Sequence, residues 1–418
     1  MKKITFLIAF VLCNLFGFSQ TEYLDGVLVL NEGGAGSGNS TVSFVSNTNV
    51  VTNNVYGLVN PGMSLGDTGQ SLTMYEDIAV IVLNISNEVK IVNNRTFQHI
   101  ASVSTGLVNP RYSAVYNDKA YVTCKGSTTT GGYLAVIDLT TNTLENTITI
   151  SNGAEKIIEV NGKLYIAHED ADIISVYDIA TQQLDEIQVA STPSELKVIG
   201  NDLYVLCGVQ PWGTGTASIY KIDLVTDTVS STIAVPATIK AFHMDTDGTY
   251  LYMSSLADVY RYEIATNTFD STAFISTGIT NFMGMYGMNV IDGFVYVADA
   301  KNFVSSGSAY VYSTQNGTLS HTYTVGVTPN HFYKSAQTNL STNKPTIVSV
   351  SVYPNPTTEM LNIQVNETIK QVTVYNMQGR KLIQDTSSAL NVASLPAGIY
   401  LLEVLTVKGT ASTKFVKK

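Results

Sequence analysis

A pattern of paired short strands, returning about every forty-odd residues, limits what this chain can fold into more than any other feature. Its fourth copy, VNGKLYIAHEDADIISVYDIAT (160–181), shows the unit well. A turn at Asn161-Gly162 leads into an apolar strand, and a short acidic connection leads into a second. Asn-Gly suits a tight hairpin because its central residues need positive φ, and Val, Ile and Tyr suit a pleated sheet. The first-strand tyrosine recurs as Tyr121, Tyr165, Tyr204, Tyr252 and Tyr296, every 39 to 48 residues. The acidic residue closing the second strand recurs as Asp138, Asp178, Asp223 and Glu263. A period of this length with several strands per unit predicts the blades of a β-propeller.

Seven such pairs can be written, beginning at DGVLVL (25–30) and ending at DGFVYVADA (292–300) with AYVYSTQNGT (309–318). Preceding strands such as TPSELKVI (192–199), ATIKAFHM (237–244) and GMNVI (287–291) predict an inner strand for each unit. Following strands such as LENTITI (144–150) and VSSTIAV (229–235) predict an outer one. The first unit lacks an inner strand, and TPNHFYKS (328–335) has no unit of its own. The last segment is therefore expected to return and complete blade one, removing the open edges of a linear array. The predicted fold class is all-β: a seven-bladed propeller of four-stranded blades over 21–335, then a small antiparallel β-sandwich.

Residues 336–346 (AQTNLSTNKPT) read as a polar linker, and 347–418 as the small β domain. Residues 1–20 combine Lys2 and Lys3, an apolar run and a small-residue exit, as a secretory signal peptide does. No second apolar stretch follows, so no transmembrane segment is expected in the mature chain. The chain has 33 acidic against 23 basic residues and a formal charge of −10, which argues against nucleic acid as a partner. Beyond residue 20 only Cys124 and Cys207 remain, each at the end of an apolar strand. They read as buried small hydrophobes rather than a disulfide framework.

The C-terminal unit resembles the type A sorting domain of the type IX secretion system of Bacteroidetes. The resemblance rests on Tyr353-Pro354-Asn355-Pro356, VTVYNMQGRKL around Gly379, LPAGIYLLEV (395–404) and the basic KFVKK end. It implies passage across the inner membrane by the signal peptide and across the outer membrane by that system, giving a secreted or cell-surface protein with the secretion machinery as a partner. The larger region resembles YncE-like seven-bladed propellers, in particular a Bacteroidetes surface group that includes cobalamin-binding proteins. VLNEGGAGSGNSTV (29–42), NPGMSLGDTGQSL (60–72) and NPRYSAVYNDKAYV (109–122) carry that likeness. It implies capture of a small nutrient, with a corrinoid such as cobalamin as the named ligand.

Four long connections between second and third strands (31–40, 125–132, 208–217 and 299–308) fall at one repeat position, so they are expected on one face around one site. Asn31, Glu32 and Asn39 supply polar groups to the first, and Trp212, the only tryptophan, is a stacking platform or a lid in the third. At the starts of inner strands stand Asp67, Arg111, Tyr112, Glu195, Lys240 and His331, which either recognise an asymmetric ligand or line a polar tunnel. No metalloprotease, nucleophile-elbow or phosphate-loop signature is present, and no catalytic residue, metal ligand or cofactor is assigned. His168-Glu169-Asp170 reads as a solvent-facing loop, and Asp245–Gly248 as a turn rather than a calcium loop. Three functions stay open: a non-catalytic ligand-capturing propeller, a surface adhesion module for protein or glycan, and a hydrolase or lyase with carboxylates such as Asp67, Glu195 and Asp299.

Overall fold

The computed structural model describes residues 21–127, 131–209, 213–281, 283–338, 350–365, 368–376, 380–406 and 410–418. It divides into two compact units, Met1–Gln337 and Thr338–Lys418. Residues 1–20, most of the linker and Trp212 lie outside the described residues.

The larger unit is a seven-bladed β-propeller, and each blade but the first is an antiparallel meander hydrogen-bonded in chain order. The inner strands of blades two to five are Gly69–Tyr75, Pro110–Tyr116, Ala154–Val160 and Pro193–Ile199. Those of blades six and seven are Met244–Thr246 and Gly287–Ile291. Blade one begins at Val27–Asn31, and its inner strand is the last of the propeller, Pro329–Lys334. The two pair antiparallel from Val27 opposite Lys334 to Asn31 opposite Pro329. Gly26 and Ser335 clasp the end, the Ser335 N–H donating to the Gly26 carbonyl at 3.0 Å and the Gly26 N–H to Ser335 Oγ at 2.8 Å. The return of the C-terminal strand expected from the sequence is thus what closes the ring.

Near-continuous apolar strands follow from burial on both faces, because each blade packs against two neighbours. Alternate residues of one strand point to opposite sides. Leu28 and Leu30 enter the core shared with blade two, while Val27 and Val29 enter the core shared with blade seven. Leu164 and Ile166 face blade three, whereas Tyr165 and Ala167 face blade five. The recurring tyrosines all sit on the side toward the following blade. The recurring Asp closes a side-chain turn: Asp138 Oδ1 accepts from the Thr140 and Thr141 N–H groups, and Asp223 Oδ1 from those of Val225 and Thr226.

Blade six departs from the expected pattern. The segment 237–243, predicted as strand, is irregular, and the outer strand is split into Thr268–Phe269 and Ile275–Ser276. Two backbone bonds to Ser254 remain there, and hydroxyls of the neighbouring strand supply others, with the Lys240 N–H donating to Ser255 Oγ and the His243 N–H to Ser254 Oγ.

The smaller unit holds a three-stranded and a four-stranded antiparallel sheet over a core that includes Leu361, Val372, Val374, Leu402 and Phe415. None of the described helices is long and apolar enough to cross a membrane.

Candidate functional site at the channel mouth

Five inner strands start the same way. A residue in the left-handed region (Thr68, Asn109, Gly153, Thr192 or Thr328, φ 51° to 75°) precedes the strand. Its carbonyl accepts the N–H of the residue just past the second strand, as in Asn84 to Thr68, Glu169 to Gly153 and Glu32 to Thr328. A register shift follows at once, between Pro110 and Ser113, Ala154 and Ile157, and Pro193 and Glu195. A bulge turns side chains that would otherwise lie between blades. Here it presents the bulged residues to one end of the channel. Three of the left-handed residues are threonines, whose branched side chains make that conformation costly. Such strain is held where the surrounding structure demands it.

The result is a cavity of about 390 Å³ to which every blade contributes. Blades three and four supply Arg111, Tyr112, Glu155 and Lys156; blades five and six supply Glu195, Phe242 and His243. Blade seven adds Met285 and Tyr286, blade two Gln70, and blade one Glu32, Asn330 and His331.

Charge in this mouth is organised in pairs. Glu155 accepts from Arg111 Nε at 2.9 Å and from Lys125 Nζ at 2.6 Å, and Lys125 also reaches Glu169 at 3.0 Å. Lys156 Nζ lies 3.3 Å from Glu195, 2.9 Å from His331 Nε2 and 4.4 Å from the centre of the Tyr112 ring. His243 Nδ1 is 3.6 Å from Glu195. Burial alone pushes the Glu155 carboxyl up, but Arg111 and Lys125 more than reverse this and hold it below the ordinary range. Burial likewise opposes ionisation of Glu195, and Lys156 with His243 brings it down to about 2. Burial, reinforced by Lys156, keeps the His331 imidazole neutral well below its usual value. Since Lys156 donates to His331 Nε2, the remaining proton of His331 is on Nδ1, which is buried without a hydrogen-bond partner.

Both carboxyls titrate lower in the folded chain than in the unfolded one. The stability they supply is therefore complete above about pH 5 and is lost as the pH falls toward 2. Urea unfolding at pH 6, 4 and 3 should show this decline, and Glu195→Gln should flatten it; an unchanged slope would contradict the pairing.

Of the residues expected from the sequence, Glu32, Arg111, Tyr112, Glu195 and His331 come together in this cavity. Asn31 does not line it: it is fully buried, its amide donating to Val29, Thr41 and Ser43. Asp67 instead holds the first long loop, accepting from the Gly36 and Gly38 N–H groups, and Asn39 accepts from Gly34. Lys240 reaches the Gly215 carbonyl at 3.2 Å, and Asp299 accepts from Asn281. The four long loops therefore do not build the site as expected. Among the described residues they give the cavity lining Glu32, while Lys125 and Phe303 act through lining residues, Phe303 edge-on to Tyr286.

His168, expected to face solvent, is buried. Its ring meets the Asn152 carbonyl and Ser175 Oγ, because a strand end between two blades offers both partners. The segment 247–249 is a turn, as expected, whereas Asp245 lies in the inner strand and accepts from Lys197 at 2.8 Å and from Asn289. Glu155, Lys156, His243 and Tyr286 were not anticipated. Aligning the repeats on the residue after Pro110, Pro193 and Pro329 would have reached Glu155 and Lys156 after Ala154. No group of His, Cys, Asp and Glu side chains able to hold a metal occurs among the described residues.

Comparison with known proteins agrees with this architecture. Three solved structures share the fold at low identity. A hydrazine synthase of Kuenenia stuttgartiensis is 14% identical, covers 62% of this chain and 88% of its own, and gives a TM-score of 0.52. A functionally unknown protein from Desulfotomaculum acetoxidans is 12% identical over 75% and 100% of the two chains, with a TM-score of 0.55. A quinonprotein alcohol dehydrogenase-like protein from Bacteroides thetaiotaomicron is 16% identical over 74% and 78%, with a TM-score of 0.54. No curated protein matches the sequence. The secretion system C-terminal sorting domain matches residues 351–418, in keeping with secretion to the cell exterior or surface by the type IX system. The domain of unknown function DUF5074 matches residues 25–333. The chain belongs to the DUF5074 family, as a YncE-like propeller joined to a type IX sorting domain.

Proposed function

We propose that this is an exported, non-catalytic propeller that captures a small polar molecule at the channel mouth. The observation that carries this reading is the convergence of the bulged turns of five blades, with residues of the other two, on a cavity of about 390 Å³, with polar atoms of His243, Asn330 and His331 buried there without partners. Buried polar groups are ordinarily satisfied, and leaving them open costs about 1–3 kcal/mol each. A ligand that completes them recovers that cost. The volume lies in the lower part of the usual range for small-molecule sites, about 300–1,000 Å³.

The corrinoid suggested by the family resemblance is larger than the cavity. It would rest on the surrounding loops and insert a peripheral arm. Thermal-shift measurements over a panel of small polar metabolites and cyanocobalamin test both statements. At least one compound should raise the Tm of the wild type and leave Ser194→Phe, which fills the mouth, unmoved. Stabilisation by cyanocobalamin would support the corrinoid, and its absence at high micromolar concentration would remove it. A panel with no response would count against capture at the mouth.

A further inference from the structure

The carboxylates of the mouth do not balance its cations, and the imbalance is localised. Arg111 and Lys125 answer Glu155, Lys125 also answers Glu169, and Lys156 answers Glu195. Glu32 lines the same cavity with neutral hydrogen-bond partners. Tyr286 Oη donates to its Oε2 at 2.9 Å, and Asn330 Nδ2 donates to its Oε1 at 3.0 Å. No cation stands within salt-bridge distance of it among the described residues, and Arg111, bound to Glu155, acts on it only from longer range.

The neighbouring amide points to the same chemistry independently. Asn330 is 2% exposed, and its Nδ2 is fixed by Glu32 and by the carbonyls of Gly69 and Gln70. Those bonds set the amide orientation, so the atom left without a partner is Oδ1, an acceptor. A buried carboxyl with no cation at salt-bridge distance, beside an amide oxygen without a donor, fits a group that is positively charged and rich in N–H. Met283, Met285 and Phe242 line the same cavity and offer apolar contact for the rest of such a molecule.

We infer that the mouth selects a ligand bearing a protonated primary amine, seated between Glu32 and Asn330 with its carbon skeleton against the methionine and phenylalanine side chains. This rests on the reading of the mouth as a capture site and names the chemical class it takes. A primary ammonium has three donors in a tetrahedral array, enough for a carboxylate oxygen and the amide oxygen together.

Three probes of equal length, hexylamine, hexanol and hexanoate, titrated into the full chain at pH 7 and followed by calorimetry or ligand-observed NMR, test it. Hexylamine should bind at least about tenfold more tightly than either of the others, the weight of one charge-assisted hydrogen bond. Glu32→Gln keeps the shape and the contact with Tyr286, and it should erase the preference for the amine over the alcohol. The comparison of probes on the wild type does not depend on that variant folding. Equal binding of the three, a preference for hexanoate, or an amine preference that survives in Glu32→Gln would overturn the amine class while leaving the mouth a capture site. Silence of all three to about 10 mM, with the metabolite panel still giving a response that Ser194→Phe abolishes, would also overturn the amine class alone.

Discussion

Replacing Gly287 by Ala is expected to cost about 3 kcal/mol of unfolding free energy and to lower Tm by roughly 5 °C or more. Gly287 opens the inner strand of blade seven, where it passes the closing strand. A Cβ built there would lie 1.7 Å from the Asn330 carbonyl oxygen and 2.6 Å from its carbon. Both obstacles are backbone, so no rotamer change relieves them, and one of the two inner strands must move. The closing strand is held to blade one by its ladder and to the mouth through the Asn330 amide. Its displacement should therefore loosen the ring and the site together. Gly398→Ala in the smaller unit is the control, since its nearest neighbours are 3.7 Å away. Differential scanning calorimetry of the two variants separates this account from a general intolerance of alanine. Equal Tm values would mean that the closing contact is not tight.

Glu155→Ala is expected to destabilise the propeller by about 3–5 kcal/mol, the range for removing one partner of a buried ion pair. Glu155 is 6% exposed and answers two cations, so its loss leaves Arg111 without a salt-bridge partner and Lys125 with Glu169 alone. The pairing spans blades three and four and is reinforced by Thr123 Oγ1, which donates to the Glu155 carbonyl at 2.8 Å. The triple variant Glu155→Leu, Arg111→Met, Lys125→Met should recover most of the loss, because the cost lies in the orphaned charge rather than in the pair. Urea unfolding at neutral pH measures both. A single variant within about 1 kcal/mol of the wild type would mean that water reaches the cations freely.

The ring could be read from the chain because its causes are local. Near-continuous apolar strands such as LYIAH and LYVLC record burial on two faces, Asn-Gly and Asp-Gly mark hairpins, and TPNHFYKS has the pattern of an inner strand with no unit to serve. The site was legible only in part because its cause is a backbone feature. Proline announces the bulge at Arg111-Tyr112 and Ser194-Glu195, whereas blade four opens its strand with Ala154, and Glu155-Lys156 carry no such flag. Loop length was a poor guide for the same reason. The loops vary freely, but the bulge is what aims a side chain at the channel, and Asn39 and Asp67 serve the loop's own conformation. His168 shows the converse: a polar residue that reads as exposed is buried because the connection before its own blade and the next strand of that blade supply both hydrogen-bond partners.

Everything proposed for the mouth depends on residues far apart in sequence meeting there, and Lys156 with His331 is the sharpest case, 2.9 Å apart across 175 residues. Lys156→Cys with His331→Cys, treated with a short thiol-bridging reagent, measures this directly. Cys124 and Cys207 are buried, and burial raises their thiol pKa values to about 11 and about 12, so they stay silent. Rapid formation of one intramolecular cross-link in the folded chain, lost in urea, is the expected result. Two thiols that react independently, or no cross-link at all, would contradict a single mouth fed by all seven blades.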